Sequence, residues 1–290
     1  MSDSEGRRGA GPGTVVTGAT GRLGGRVAAR LAAAGLPQTL LVRDPSRAPD
    51  HSGAQVVRAG YGDRRELVGA LRGATRVLMV SASESEDRLD QHRSFVDAAV
   101  EAGAGHLVYT SFLGAAPDAT FTLARDHWVT ERYIRDSGLA YTFLRDGLYA
   151  DFMPGLVGED GVIRGPAGEG AASVVAQDDI ADAATAVLLD APAHNGAVYD
   201  LTGPRALTLA EVAAELSEVT GRRVTYRPET VAEAYRSRES SGAPRWQLDA
   251  WVSTYTAMAA GELAAVSDAI PRLTGRPATP LAEVLRRTAA

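Results

Sequence analysis

A strand-like run that breaks into a glycine turn and reopens as a helix restricts this chain more than any other feature. Residues 14–17 (TVVT) are a short, largely β-branched run. Gly18-Ala19-Thr20-Gly21-Arg22-Leu23-Gly24 follows with the spacing GxxGxxG, and residues 22–34 read as an Ala- and Arg-rich helix closed by Gly35. Positions without a Cβ let the backbone turn tightly, approach a pyrophosphate and pack the helix close on the strand. The helix start adds free N–H groups and the positive end of its dipole. In a chain with 31 glycines the spacing alone says little. Its place directly after the first strand of a strand–helix series carries the argument.

That series continues. Residues 38–43 (QTLLVR), 54–59 (AQVVRA), 76–80 (RVLMV), 106–110 (HLVYT) and 140–144 (AYTFL) read as strands; 64–71, 87–102 and 122–136 read as helices. Strands apolar on both sides, alternating with helices, predict a parallel sheet covered on both faces, a doubly wound α/β Rossmann fold. After Gly147 the pattern loosens. Residues 151–175 are Gly-rich with little period, 177–189 form a helix, 198–201 a short strand, and Thr208 with Glu211 three residues on has the spacing of a capping box. Residues 231–261 are mostly helical and 281–287 make a last helix. The expectation is a disordered tail at 1–12, a nucleotide-binding Rossmann domain at 13–150, and a smaller, mainly helical substrate-binding lobe at 151–290. Residues 172–202 or so are expected to complete the Rossmann core.

Composition removes several function classes. A net charge of -6 argues against nucleic-acid binding. With no cysteine there are no disulfides, thiolate nucleophiles or Cys-ligated metals. The five histidines show no metal-ligand spacing, and no metal is expected. All 30 basic residues are arginine, so no mechanism here uses a lysine. No apolar run nears the 18 or so residues of a membrane span, and the first residues lack a signal-peptide core; the expected location is cytoplasmic. The amphipathic C-terminal helices leave monomer and homodimer both open.

The end of the second strand selects the cofactor. An acid there would accept from the ribose hydroxyls, whereas an arginine would pair with a 2′-phosphate. Arg43 stands at that point with Asp44 behind it, and Arg22 in the glycine turn is a second cation in reach. Two cations against one acid favour NADP(H). Asp63, after the third strand, is placed to meet the adenine edge or to cap the helix beginning at Arg64.

GATGRLGG, LVRDPSRA, AGYGDRREL, VSASESEDRLDQHRSFVDAA, HLVYTSFLGA, LARDHWVTERYIRDSGLAYTFLRDGLYADF and LTGRPATPLAEVL, in that order, resemble the NmrA-like, atypical short-chain dehydrogenase/reductase family from about Thr14 to Leu285. The likeness is strongest to its NAD(P)H-dependent quinone oxidoreductase type. The resemblance implies an NADPH preference through Arg43. It also implies cofactor contacts at Gly18, Thr20, Gly21, Arg22, Leu23, Gly24, Arg43 and Asp63, and at Ser81, Ala82 and Ser83. It places a quinone near a nicotinamide lying by Ser111, His127 and Tyr149.

Ordinary short-chain dehydrogenases use Tyr-x-x-x-Lys on one helix face. The matching positions look to be Leu123 and His127, with Glu131 a turn further. Leu123 offers no proton. His127 is the candidate to bond the nicotinamide ribose or donate a proton, against the plainer reading of a helix histidine satisfied by a neighbour. Ser111 is the candidate to orient a substrate carbonyl, and Tyr149 to donate to a carbonyl or stack on a ring. Without Tyr and Lys, an alkyl ketone, which concentrates charge on an alkoxide, suits the site less than a quinone, which spreads it over a ring. The expected activity is therefore NADPH-dependent reduction of a quinone or polycyclic aromatic ketone. A step in aromatic polyketide tailoring, by reduction or reduction-coupled oxygenation, falls within it. The alternative is a non-enzymatic NADP(H) sensor that regulates a protein partner.

Overall fold

The computed structural model describes residues 13–289, and the tail expected at 1–12 lies outside them. The chain opens with β1 (Thr14–Thr17), α1 (Arg22–Ala33), β2 (Gln38–Val42), β3 (Ala54–Arg58), α2 (Arg64–Leu71), β4 (Arg76–Met79), α3 (Arg88–Glu101), β5 (His106–Phe112), α4 (Thr122–Asp136) and β6 (Ala140–Asp146). It continues through β7 (Val162–Gly165), β8 (Ala171–Ala172), α5 (Gln177–Leu189), β9 (Val198–Leu201), β10 (Leu207–Thr208), α6 (Leu209–Thr220) and β11 (Thr225–Pro228). It closes with α7 (Val231–Arg238), α8 (Arg245–Ala259), α9 (Ala269–Thr274) and α10 (Leu281–Ala289).

Seven parallel strands form the central sheet in the order β3-β2-β1-β4-β5-β6-β9. The period of two along a strand divides each strand between two faces. Val16, Leu40, Leu78, Val108 and Leu144 bury against α1, α5 and α9. Val15, Leu41, Val77, Leu107 and Phe143 bury against α2, α3 and α4. This is why the strands read as continuous apolar runs. The order reverses between β1 and β4, so the helices leaving their carboxyl ends diverge and open a crevice there.

A third buried cluster forms where Val212 and Leu216 of α6, Met258 of α8 and Leu281 of α10 meet Met153 and Val174. Two small pairings, β7 with β11 in parallel and β8 with β10 antiparallel, occupy the Gly-rich stretch that showed no clear period. Gly165 admits the ring of Tyr255, which a Cβ there would meet at 2.3 Å, and the Arg238 guanidinium lies over that ring, 5.1 Å from the centroid. Thr208 and Glu211 close the capping box that their spacing predicts.

Strands β5 and β6 each run two residues further than the sequence reading, and β9 adds a seventh strand on the far edge. Asp178, Asp179 and Asp182 stand in the first turns of α5 and hold it to its neighbours. Asp178 pairs with Arg30 of α1 at 2.8 Å and with Arg26 at 3.2 Å, while Asp182 pairs with Arg30 and Arg276. Asp179 is fully buried and accepts from the Thr279 amide at 2.6 Å and its hydroxyl at 2.8 Å, with Arg276 2.7 Å away. These charges tie α5 to α1 and to the chain entering α10. Among the described residues, no helix is long and apolar enough to cross a membrane.

Candidate functional site

A cleft of about 480 Å³ opens at the carboxyl ends of β1, β2 and β4. Gly18, Thr20, Gly21, Arg22, Leu23, Gly24, Arg43, Ser81, Ala82 and Ser83 all line it. Its floor is a backbone cradle that side chains would fill. Gly18 takes φ +64°, and a Cβ on Gly24 would fall 2.4 Å from the Gly18 carbonyl oxygen and 2.6 Å from that of Thr17. The missing Cβ is what lets α1 start flush against β1. Gly21 caps α1 without a side-chain hydrogen bond, and the first turn carries no acid. The amides of that turn have no intrahelical acceptor and face an anion-ready opening.

At the end of β2 the two neighbouring charges part. Arg43 is exposed and lines the cleft. Asp44 turns away to cap the turn Pro45–Arg47, accepting from the Ser46 amide at 3.0 Å and hydroxyl at 2.7 Å. Those bonds hold its carboxyl below the usual range. Asp63 also caps, accepting from the Glu66 amide at 3.0 Å, and is not among the cleft residues. Of the two roles open for it in the sequence, the structure shows the cap.

Tyr61 lines the cleft beside these residues and went unnoticed in the sequence. Its hydroxyl donates to the Val80 carbonyl at 2.6 Å and bonds Thr17 Oγ1 at 2.6 Å, while the Val80 amide donates to the same Oγ1 at 2.9 Å. The ring of bonds joins β1, β4 and the loop after β3. A tyrosine between two glycines directly after a strand was the available signal.

Beyond β4, Ala82 is held at both backbone polar groups. Its amide donates to His92 Nε2 at 2.9 Å, and its carbonyl accepts from Arg88 Nε at 3.0 Å. His92 therefore carries its proton on Nδ1, which bonds Thr130 of α4 at 2.8 Å. Arg88, only 4 % exposed, reaches Asp126 at 3.3 Å and His127 Nε2 at 2.9 Å. An arginine can only donate, so His127 Nε2 accepts and Nδ1–H donates to the Tyr109 hydroxyl at 2.9 Å. Burial, with Arg88 alongside, holds His127 well below the ordinary imidazole value and pushes His92 down to about 3. His127, expected beside the nicotinamide, thus has both ring nitrogens committed inside the protein and carries no spare proton at neutral pH. None of Ser111, His127 and Tyr149 is among the residues that line the cleft. Arg88 and His92 were not singled out in the sequence, although their spacing of four places them on one face of α3.

Ser111 is buried and donates to Glu131 at 2.7 Å. Glu131 is fully buried and also accepts from Arg145 at 2.8 and 2.7 Å and from Arg135 at 3.3 Å. The hydroxyl expected to orient a substrate carbonyl is thereby drawn toward α4. Tyr149 stands at the carboxyl edge of the sheet, just past β6. Its hydroxyl meets Asp146 Oδ2 at 3.1 Å, and its ring packs edge-on against Phe152, centroids 5.3 Å apart. Phe152 in turn lies under Arg22 of the glycine turn, 5.2 Å from its guanidinium carbon. Of the three side chains expected to act on substrate, Tyr149 is the one connected to the wall of the cleft.

Similarity to known proteins bears on this arrangement. The model of the NmrA-like family matches residues 13–238. Quinone oxidoreductase 2 of Escherichia coli is 36% identical over 277 residues, 92% of this chain and 96% of that protein. A crystal structure of the NADPH-dependent quinone oxidoreductase of that organism, complexed with NADPH, superposes with a TM-score of 0.87 at 35% identity, covering 96% of this chain and 100% of the other. An NAD(P)H azoreductase of Xenophilus azovorans is 35% identical over 95% of this chain and 98% of its own. A (4-alkanoyl-5-oxo-2,5-dihydrofuran-3-yl)methyl phosphate reductase of Streptomyces griseus is 36% identical over 92% of this chain and 94% of its own.

Proposed function

This chain belongs to the NmrA-like family, and from that premise we propose that it is an NADPH-dependent oxidoreductase whose acceptor is a quinone or polycyclic aromatic ketone. NADP(H) fits the cleft on this structure's own terms. The cradle at Gly18, Gly21 and Gly24 leaves room for a pyrophosphate against the amides of α1. Thr20, Arg22, Leu23 and the segment Ser81–Ser83 complete the walls. Arg43 faces the cleft while Asp44 is occupied with Ser46, which supports a 2′-phosphate over a free ribose hydroxyl pair. Bound there, the cofactor supplies a hydride.

The chain's own contribution is a site without a strong acid. It has no lysine, the position of the usual tyrosine is Leu123, and His127 is neutral and committed. Tyr149 remains as the hydroxyl at the sheet edge. That single observation carries the choice of acceptor, because a quinone or azo bond spreads the added charge over a conjugated system and an alkyl ketone does not. The relatives act, by name, on a quinone, an azo compound and an alkanoyl dihydrofuranone phosphate. An aromatic polyketide intermediate, worked on in the cytoplasm, is an acceptor of the same electronic kind.

The test is NADPH oxidation followed with dissolved oxygen across quinones, polycyclic aromatic ketones and aliphatic ketones. Quinone turnover should exceed that of aliphatic ketones by about a hundredfold or more, since a phenol is a weak acid and only the conjugated acceptor spreads the charge that a weak acid leaves unneutralised. Faster turnover of aliphatic ketones, or NADPH binding with no turnover at all, overturns the reading. Oxygen uptake during turnover would extend it to reduction-coupled oxygenation.

A further inference from the structure

Asp146 has no structural employment that accounts for it. It closes β6 at the carboxyl edge of the sheet and is 1 % exposed. Its Oδ1 is fully buried without a hydrogen-bond partner. Its Oδ2 meets only the Tyr149 hydroxyl, at 3.1 Å. The period of two along β6 explains the isolation: Arg145 points to the α4 side and gives itself to Glu131, while Asp146 points to the opposite face above Leu144. Among the described residues no cation pairs with it. A lone buried carboxylate is too costly to hold, so the group keeps its proton. The charged groups that face the pair from other segments are Arg88 of α3 and Asp151, both on the Tyr149 side.

We propose that Asp146 stores the proton consumed in the reduction and that Tyr149 passes it to the acceptor oxygen. This rests on the reductase reading. With the carboxyl protonated, its O–H donates to Tyr149 Oη, which frees the phenolic O–H for the acceptor. Reducing a quinone to a hydroquinone takes up one hydride, with both electrons, and one proton. The Tyr149 O–H bond breaks toward the acceptor oxygen as the Asp146 O–H bond breaks toward Tyr149. Tyr149 ends as it began, Asp146 ends as a carboxylate, and solvent reprotonates it between turnovers. The relay spares the site a phenolate, which burial makes hard to form here. It stands in for the lysine that assists tyrosine in ordinary members of the superfamily.

Asp146→Asn keeps the volume and a hydrogen bond to Tyr149 but has no proton to give. The paired acceptors are a quinone, which needs the proton, and a cationic triarylmethane dye, which becomes its neutral leuco form on taking up hydride alone. The ratio of quinone to dye turnover should fall about a hundredfold in D146N. Infrared spectra of the cofactor-free protein at neutral pH should show a protonated carboxyl stretch that D146N lacks. Wild-type turnover with an unchanged ratio in D146N, or no such band in the wild type, overturns the relay alone. A wild-type protein that reduces neither acceptor overturns the reductase reading and the relay with it.

Discussion

Arg43 and Asp44 are adjacent and opposite in charge, yet hydrogen bonding sends them to different places. Ser46 supplies Asp44 with two donors, so the acid that would favour a ribose diol is spent on a turn. Arg43 is left to the cleft. Replacing it with Ala should weaken NADPH binding by about tenfold and leave NADH within about threefold. A charge-assisted contact is worth about 1.5–3 kcal/mol, and at an exposed residue the lower end applies. Fluorescence titration with the two cofactors measures the difference; an equal loss for both would remove Arg43 from the 2′-phosphate. The glycine positions were readable because their requirement is local. The role of Asp63 was open because capping and ligand contact ask for the same carboxylate at the same place.

Between elements, the telling contact is the buried clamp by which α3 and α4 grip the segment after β4. Its histidines, His92 and His127, are neutral because burial and Arg88 disfavour a second positive charge. Protonation is harder in the folded than in the unfolded chain, whose histidines titrate near 6.5. The unfolded state therefore takes up protons that the native state refuses. The stability due to these groups is complete above pH of about 6.5 and is lost as pH falls below it, for His92 toward about 3, by up to about 1.4 kcal/mol per pH unit. Asp146, whose carboxyl is raised, acts in the opposite sense. The comparison is consequently between the wild type and His92→Gln, a neutral side chain that never takes up the proton. Denaturation at pH 7 and pH 5 should show a smaller loss in the variant, and equal losses would mean that His92 is protonated in the native state. Spacing on α3 and α4 could suggest such a clamp, but which helix faces meet depends on how both pack on the sheet.

At the scale of the molecule, the central sheet and its helical cover draw on residues from both sides of the point where the sequence pattern changes. The regular strand–helix alternation ends near residue 147, yet α5 fills the face beside α1 with Ile180, Ala184, Val187 and Leu188, and β9 pairs with β6. We expect residues 13–150 alone to leave that face of the sheet bare, with Val27 and Leu31 of α1 exposed. Such a fragment should be insoluble or lack cooperative unfolding, whereas one extended through residue 289 should melt in a single transition. A soluble, cooperatively folded 13–150 fragment would show that the sheet is complete without β9 and α5. Exposed apolar area of that extent is a known route to aggregation.

By itself the sequence determined the things that rest on short-range physics. Among these are the glycine turn that starts α1 close against β1, the two-faced apolar strands of a doubly wound sheet, the capping box at Thr208, and a chemistry without lysine or cysteine. Tertiary structure alone decided which polar side chains face the cleft and which are used up inside. Ser111, His127 and Tyr149 all sit in suitable segments. Buried partners far along the chain take the first two: Glu131 lies 20 residues from Ser111, and Arg88 lies 39 from His127. A buried polar group must find a partner or keep its proton. That choice depends on neighbours brought in by folding, and it leaves Tyr149 and Asp146 together at the sheet edge.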